Sequence, residues 1–225
     1  MTLAVLLPTR GRPHNFSRFM DAVADTADNV HVYVRLDYND ESAPEYDEHL
    51  NRHRNITVIH GEQVGFGSSL NELAARAELD GASHLGMFGD DVLPVDHGWD
   101  TALVEALGDR LGVAYGDDGL RDKHAPDLPT HYVTQTEVYR RLGYLAPPTI
   151  RHLFLDNVAR DVGRCLGHFV FVPVRITHLH PWVEGEHLHD KTYAEGGRNV
   201  DIRHSDRLAY LRWGQNKDWK KRLKV

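Results

Sequence analysis

The sequence lacks the features that would indicate a secreted or membrane protein. It contains a single cysteine, Cys165, so no disulfide can form within the chain, which fits a reducing compartment. No stretch approaches the length of about 20 apolar residues that a membrane-spanning helix needs. No apolar run behind a basic patch indicates a signal peptide. We therefore expect a soluble, cytoplasmic protein without a transmembrane segment.

Charge is distributed unevenly along the 225 residues, which carry a net charge of −7. Residues 203–225 contain eight Lys or Arg and two Asp, a net charge of +6, so the remainder carries −13. Phosphate binding needs a basic surface, so the negative charge of residues 1–202 argues against general nucleic-acid binding. We interpret residues 1–202 as one domain and residues 203–225 as a basic segment docked on it. Contact of that segment with an anionic surface is the alternative.

Hydrophobic patterning predicts an α/β fold. Short apolar runs predict strands at residues 2–9, 30–36, 56–59, 84–88, 113–115 and 168–180. Apolar residues at helical spacing predict helices after Asn15, from Gly65 to Ala77, at 135–142 and at 154–166. This alternation is typical of a single Rossmann-like open sheet of mostly parallel strands flanked by helices.

Polar residues follow three of the predicted strands. Thr9 ends the first strand and Arg10 follows it, Asp37 follows the second, and Asp90 with Asp91 follows the fourth. Ligands bind outside the carboxyl ends of the strands in open α/β sheets, so we expect these side chains at one binding edge. Such an edge is suited to a nucleotide, held by its base, ribose and phosphates.

The pair Asp90-Asp91 is the sharpest chemical signal in the sequence. Carboxylate oxygens suit Mg²⁺ or Mn²⁺, and the remaining positions of the metal can take diphosphate oxygens. The 16 histidines of the chain also favour a metal site. The alternative for Asp90-Asp91 is an acidic turn. A second pair, Asp117-Asp118, is interpreted as a turn, with contact to donor sugar or acceptor as its alternative.

The order of these motifs resembles that of family-2 glycosyltransferases and related GT-A enzymes. Four segments carry the resemblance: Pro8-Thr9-Arg10-Gly11-Arg12-Pro13, Asp37, the helix start from Gly65 to Asn71, and Gly89-Asp90-Asp91 as the DXD metal motif. Gly89 stands where the family has an acid. The firm motifs end at about Pro94, and the rest of the chain follows the family as a loose pattern.

The resemblance implies a GT-A-like fold, a nucleotide-sugar donor and a divalent metal ion, Mn²⁺ or Mg²⁺. It makes Asp91 the expected metal ligand and Asp90 the expected sugar or ribose contact. The other expected donor contacts are Pro8, Thr9, Arg10, Arg12, Asp37, Gly65 and Asn71. The guanidinium groups of Arg10 and Arg12 present a fork of donors to phosphate or base, and a surface role is their alternative.

Catalytic and further metal residues are expected downstream. The family places a catalytic carboxylate near the start of a helix on the acceptor side, and Asp156 fits this position better than Asp161. The alternative for Asp156 is a carboxylate that stabilises the helix N-terminus. Some GT-A enzymes complete the metal site with a late histidine, for which His180 is the first choice and His178 the second. Both lie on one face of the last predicted strand, and a polar strand edge is their alternative.

These expectations combine into a metal-dependent glycosyltransferase that moves a sugar from a nucleotide diphosphate, taken as UDP, to an acceptor hydroxyl. Inversion at the anomeric carbon is implied by the family resemblance. The acceptor is a glycan, a protein or a modified base. A non-catalytic nucleotide-sugar or glycan-binding module on the same fold is one alternative, because fold does not fix function. A nucleotidyltransferase is the other, although the turn at residues 10–13 is too short for the Gly-rich loop of that class.

Overall fold

A computed structural model describes residues 2–120, 127–179 and 199–223, and a single mixed sheet runs through its centre. The strands are β1 Leu3–Pro8, β2 Val30–Asp37, β3 Ile56–Gly61, β4 His84–Met87, β5 Val92–Pro94, β6 Val113–Asp117, β7 Tyr132–Gln135 and β8 Phe169–His178. Their order in the sheet is β3-β2-β1-β4-β7-β6-β8-β5. The pairs β1–β2, β2–β3, β1–β4 and β6–β8 are parallel, and the other three are antiparallel.

Helices cover both faces of this sheet. They are α1 Pro13–Thr26, α2 Ala43–Leu50, α3 Phe66–Leu79, α4 Trp99–Leu107, α5 Thr136–Leu142, α6 Leu155–Cys165, α7 Val200–Gln215 and α8 Asp218–Leu223. The apolar residues of α1, α2 and α4 form one core cluster, and those of α3, α5, α6, α7 and α8 form the other. Because β1 is covered on both faces, it is an unbroken apolar run. No helix in the described residues is long and apolar enough to cross a membrane.

The predicted α/β class is confirmed, and the structure contains additional strands and helices. The strands that carry the parallel half, β1 to β4, lie close to their predicted positions. The short strands β5 and β7 and the helices α2, α4, α7 and α8 were not predicted. Both unpredicted strands pair antiparallel, so the sheet is more mixed than the sequence suggested. The predicted last strand ended at His180, which lies outside the described residues.

The basic C-terminal segment forms helices that contact the domain. The rings of Trp213 in α7 and Trp219 in α8 stack with their centroids 4.3 Å apart, and both side chains are buried. The indole N–H of Trp213 donates to the hydroxyl of Tyr144 at 2.9 Å. Helix α7 begins at Val200, so the predicted boundary between residues 202 and 203 falls inside it.

Gly67, in the first turn of α3, provides a test of this packing. A Cβ at Gly67 would lie 2.5 Å from the carbonyl oxygen of Ile150, a backbone atom that cannot move aside cheaply. We expect Gly67→Ala to lower the free energy of unfolding by about 2 kcal/mol in urea denaturation. Gly214→Ala is the control, because nothing lies within 4 Å of a Cβ there and alanine favours a helix. Equal stability of the two variants would contradict the close approach of α3 to residue 150.

Candidate active site

A cavity of about 770 Å³ opens at the carboxyl ends of β1, β2 and β4. This volume lies in the range of small-molecule sites. Ten of the residues proposed from the sequence line it: Pro8, Thr9, Arg10, Arg12, Asp37, Gly65, Asp90, Asp91, Asp156 and His178. The structure therefore brings residues from distant parts of the chain to one place.

Two of the proposed residues are not part of the described cavity wall. Asn71 does not line it, because its side-chain amide is engaged with a neighbouring loop. The amide oxygen accepts from the backbone N–H groups of Leu145 and Ala146 at 2.9 and 3.0 Å, and its NH₂ donates to the carbonyl of Ala146 at 2.7 Å. We therefore leave Asn71 out of the donor site. His180, the first choice as a late metal ligand, lies outside the described residues.

Asp90 ties the ends of β1 and β4 together. Its carboxylate accepts from the hydroxyl of Thr9 at 2.7 Å and from the guanidinium of Arg12 at 3.1 Å. Burial raises the pKa of Asp90, with Arg12 acting against this effect and the charge of Asp91 adding to it. Each carboxylate oxygen of Asp90 therefore accepts one hydrogen bond from the turn after β1, and the sequence did not indicate this role.

Further hydrogen bonds fix the same turn from α2 and the loop before it. The buried hydroxyl of Tyr46 accepts from the backbone N–H of Arg12 at 2.9 Å. The carboxylate of Asp40 accepts from the backbone N–H of Gly11 at 2.8 Å. The turn at residues 9–12 is thus held on three sides, by Asp90, Tyr46 and Asp40, and it presents Arg10 and Arg12 to the cavity.

Asp91 and His178 face each other in the cavity. The Nε2 atom of His178 lies 3.5 Å from one carboxylate oxygen of Asp91, and Arg12 lies 3.6 Å from the other. Burial alone would raise the pKa of Asp91, but His178 and Arg12 lower it overall. Burial likewise disfavours a charged His178, yet Asp91 raises its pKa overall. The pairing of β5 with β8, which sets Val92 opposite His178, creates this contact.

The donor set of Asp91 and His178 fits a divalent cation that shares its ligands with a phosphate. Mg²⁺ is commonly bound by one or two carboxylates together with substrate phosphates, and imidazole is a common ligand of divalent transition metals. In residues 2–120, 127–179 and 199–223, no group of three or more His, Cys, Asp and Glu side chains could hold a metal alone. Diphosphate oxygens and water are ligands that would complete the shell of such a cation.

Asp37 is held from two sides at the end of β2. The guanidinium of Arg35 donates to one of its oxygens at 3.1 Å, and Arg10 donates to the other at 3.1 Å. Arg35 is only 2% exposed and also donates to Glu72 at 2.7 Å and to the carbonyl of Glu62 at 2.6 Å. The sequence contained a signal for Arg35, because a charged residue inside an apolar strand must find partners.

Asp156 lies in the first turn of α6 and lines the cavity. One of its oxygens accepts from the backbone N–H of Asn157 at 2.8 Å. Burial raises the pKa of Asp156. Asp161, the weaker candidate, does not line the cavity and accepts from the hydroxyl of Tyr210 at 2.7 Å. A carboxylate with a raised pKa at a cavity wall is suited to accepting a proton.

The cavity wall also contains residues that sequence reasoning assigned elsewhere or missed. Asp118, interpreted as a turn residue, does make a turn by accepting from the backbone N–H of Leu120 at 2.8 Å. It also accepts from Thr130 at 2.7 Å and lines the cavity. Ile202 and Arg203 bring the start of α7 to the rim. Nothing in the local sequence indicated that the C-terminal segment reaches this site.

The fold is that of GT-A-like glycosyltransferases. The mannosyltransferase PcManGT from Pyrobaculum calidifontis, solved with GDP-Man and Mn²⁺, aligns with a TM-score of 0.65 and 16% identity over 79% of this chain and 56% of that one. TarS of S. aureus, residues 1–349 with UDP, aligns with a TM-score of 0.60 and 13% identity over 79% of this chain and 60% of that one. The same protein with UDP-GlcNAc gives a TM-score of 0.60 and 13% identity over 83% and 60%.

These likenesses concern the fold, because the identities are low and the chain spans less than two thirds of the length of each of these three structures. No protein-family model matches the sequence, and no curated protein matches it either. The assignment of an activity therefore depends on the chemistry of the cavity.

Proposed function

We propose that this protein is a metal-dependent glycosyltransferase that moves a sugar from a nucleotide diphosphate to an acceptor hydroxyl. The observation that carries the proposal is the convergence of Asp91, His178 and Asp156 on one cavity at the carboxyl edge of a GT-A-like sheet. Structures of other proteins with this fold contain UDP, UDP-GlcNAc or GDP-Man, which supports a nucleotide sugar as the donor. We take UDP as the nucleotide.

In this proposal the nucleotide occupies the β1–β2 side of the cavity. Asp37, fixed by Arg35 and Arg10, contacts the base, and Pro8 and Thr9 form the floor beside it. Arg10 and Arg12 contribute positive charge on the side where the diphosphate would lie. Because these side chains are already held by hydrogen bonds, little ordering is needed when the donor binds.

In the proposed reaction, Asp91 and His178 serve the leaving diphosphate and Asp156 serves the acceptor hydroxyl. A divalent ion held by Asp91 and His178 would supply positive charge for the diphosphate as the bond to the anomeric carbon breaks. Asp156 accepts the proton of the acceptor hydroxyl, which makes that hydroxyl a better nucleophile. Attack from the face opposite the diphosphate inverts the anomeric centre.

The proposal is tested by measuring release of nucleoside diphosphate from UDP-GlcNAc, UDP-glucose and GDP-mannose, with glycan and protein acceptors. We expect turnover with one donor in the presence of Mn²⁺ or Mg²⁺ and its loss after chelation with EDTA. A full rate in EDTA would contradict metal dependence. Absence of turnover with every donor and acceptor, while a nucleotide sugar still binds, would contradict the enzyme assignment.

A non-catalytic module that binds nucleotide sugars is the second candidate. The observation that favours it is Arg12, whose guanidinium lies 3.1 Å from Asp90 and 3.6 Å from Asp91. This positive charge already compensates the acidic pair, and Gly89 replaces the first acid of the DXD motif. Such a module would bind a nucleotide sugar with equal affinity in EDTA and in Mn²⁺, and calorimetric titration under both conditions separates the two candidates.

A further inference from the structure

A buried carboxylate of α7 holds the chain segment that precedes Asp156. Asp206 is 0% exposed, and its oxygens accept from three consecutive backbone N–H groups. These donors are Arg151 at 3.0 Å, His152 at 2.9 Å and Leu153 at 2.8 Å. Hydrogen bonds to a charged acceptor are about twice as strong as neutral ones. The carboxylate therefore fixes the path of the backbone through residues 151–153.

The next residue, Phe154, shows why this segment needs support. Its φ of 68° makes it the only non-glycine residue with a positive φ in the part of the chain that the structure describes. This conformation is unfavourable for a bulky side chain and persists only where its surroundings enforce it. The ring of Phe154 stacks on Tyr210 of α7, with centroids 5.6 Å apart and an interplanar angle of 12°. Tyr210 lies four residues after Asp206, on the same face of α7.

The segment of residues 151–153 is also bonded to the start of α3. The carbonyl of Arg151 accepts from the backbone N–H of Gly67 at 2.8 Å. Residues 151–157 all line the cavity, and Asp156 is among them. The position of the Asp156 carboxylate therefore depends on a backbone path that α7 holds through Asp206 and Tyr210.

We propose that Asp206 is a positioning residue of the active site and that α7 is an integral part of that site. By binding the amides of residues 151–153, Asp206 keeps the segment that carries Asp156 in its place on the cavity wall. The kinetic consequence rests on the proposed glycosyltransferase function, whereas the restraint on the backbone does not. The two are therefore tested by separate measurements on the same variants.

The test compares Asp206→Asn with Asp201→Asn in the full chain. Asparagine has nearly the shape of aspartate, but it loses the charge and turns an NH₂ towards backbone N–H groups, which leaves buried donors without an acceptor. Asp201 is an exposed carboxylate in the first turn of α7, so its amide variant controls for the loss of charge on that helix. Hydrogen exchange by mass spectrometry reports the restraint, and steady-state kinetics report its consequence.

For Asp206→Asn we expect exchange to accelerate by about tenfold or more at residues 151–156, with the strands of the sheet unchanged. We also expect kcat to fall roughly 100-fold while the KM for the donor stays within about twofold, because the nucleotide side of the cavity is built from other elements. Asp201→Asn should match the unmodified protein in both measurements. A merely structural role would accelerate exchange throughout the chain and would not separate kcat from KM.

Exchange that is unchanged, or accelerated uniformly, in Asp206→Asn would overturn the positioning role, as would an unchanged kcat in a protein that transfers sugar. If the unmodified protein transfers no sugar, the proposed function fails, and the exchange measurement alone decides on the restraint. If Asp206→Asn does not fold, Asp206→Ser replaces it, because the smaller hydroxyl can accept from only part of the set of three amides and leaves the others without an acceptor. Faster exchange confined to residues 151–156 would then support the proposal, and unchanged exchange would overturn it.

Discussion

Replacing Asp91 with asparagine is expected to lower the metal-dependent rate of nucleoside diphosphate release by about 1000-fold. The variant keeps an oxygen at this position but loses the negative charge that would hold the cation. Asp91 is suited to this role, because His178 and Arg12 lower its pKa against the effect of burial and keep it ionised at neutral pH. The measurement is the initial rate with Mn²⁺ or Mg²⁺ at saturating donor.

The control is Asp109→Asn, which removes an exposed carboxylate that does not line the cavity. It should retain the full rate. Binding of Mn²⁺ in the presence of UDP, followed by electron paramagnetic resonance, gives a readout that does not need turnover. Loss of this binding in Asp91→Asn is expected, and an Asp91→Asn protein with full activity would show that the metal assignment is wrong.

The parallel half of the fold could be predicted because its signals are local. The strands β1, β2 and β4 are apolar runs that end in polar residues, and the rule for open α/β sheets places those ends together. This reasoning brought Thr9, Asp37 and Asp91 to one edge. The resemblance to GT-A enzymes added Asp156, which lines the same cavity in the structure.

The antiparallel pairings could not be predicted, because β5 and β7 are too short to show a periodic pattern. Strand β5 has only three residues and ends in Pro94, so no periodicity marks it. Its pairing with β8 nevertheless brings His178 to Asp91, and no local pattern contains that contact. The pattern for residues 168–180 predicted the strand and the histidine face, but it could not choose between His178 and His180.

The partners of the buried carboxylates also could not be predicted from the sequence. Asp206 belongs to the basic segment of residues 203–225. Its three backbone partners are more than 50 residues away in the chain. Asp90 was expected to contact sugar or ribose, and the sequence did not indicate that its oxygens also accept hydrogen bonds from Thr9 and Arg12. A carboxylate satisfied by backbone amides or by a distant arginine leaves no signature in the sequence around it.

Replacing Asp156 with asparagine is expected to lower kcat for sugar transfer by about 1000-fold and to leave the affinity for the donor within about twofold. Asparagine cannot accept the proton of the acceptor hydroxyl, whereas the proposed nucleotide contacts lie on β1 and β2. Calorimetric titration with UDP and steady-state kinetics on the same preparation measure the two effects separately. Asp161→Asn, on the same helix but outside the cavity wall, is the matched control and should keep kcat within about threefold.

The pH dependence of transfer gives an independent test of the same base. A base must be ionised to accept a proton, so the rate should fall as the pH falls through the pKa of Asp156. Burial raises this pKa in the unliganded protein, which places the acid limb of the kcat/KM profile above the ordinary aspartate value of 3.8. The residual activity of Asp156→Asn should lack that limb. If Asp156→Asn kept both the rate and the limb while Asp161→Asn lost them, the proton acceptor would be Asp161, and the cavity wall at the start of α6 would serve binding alone.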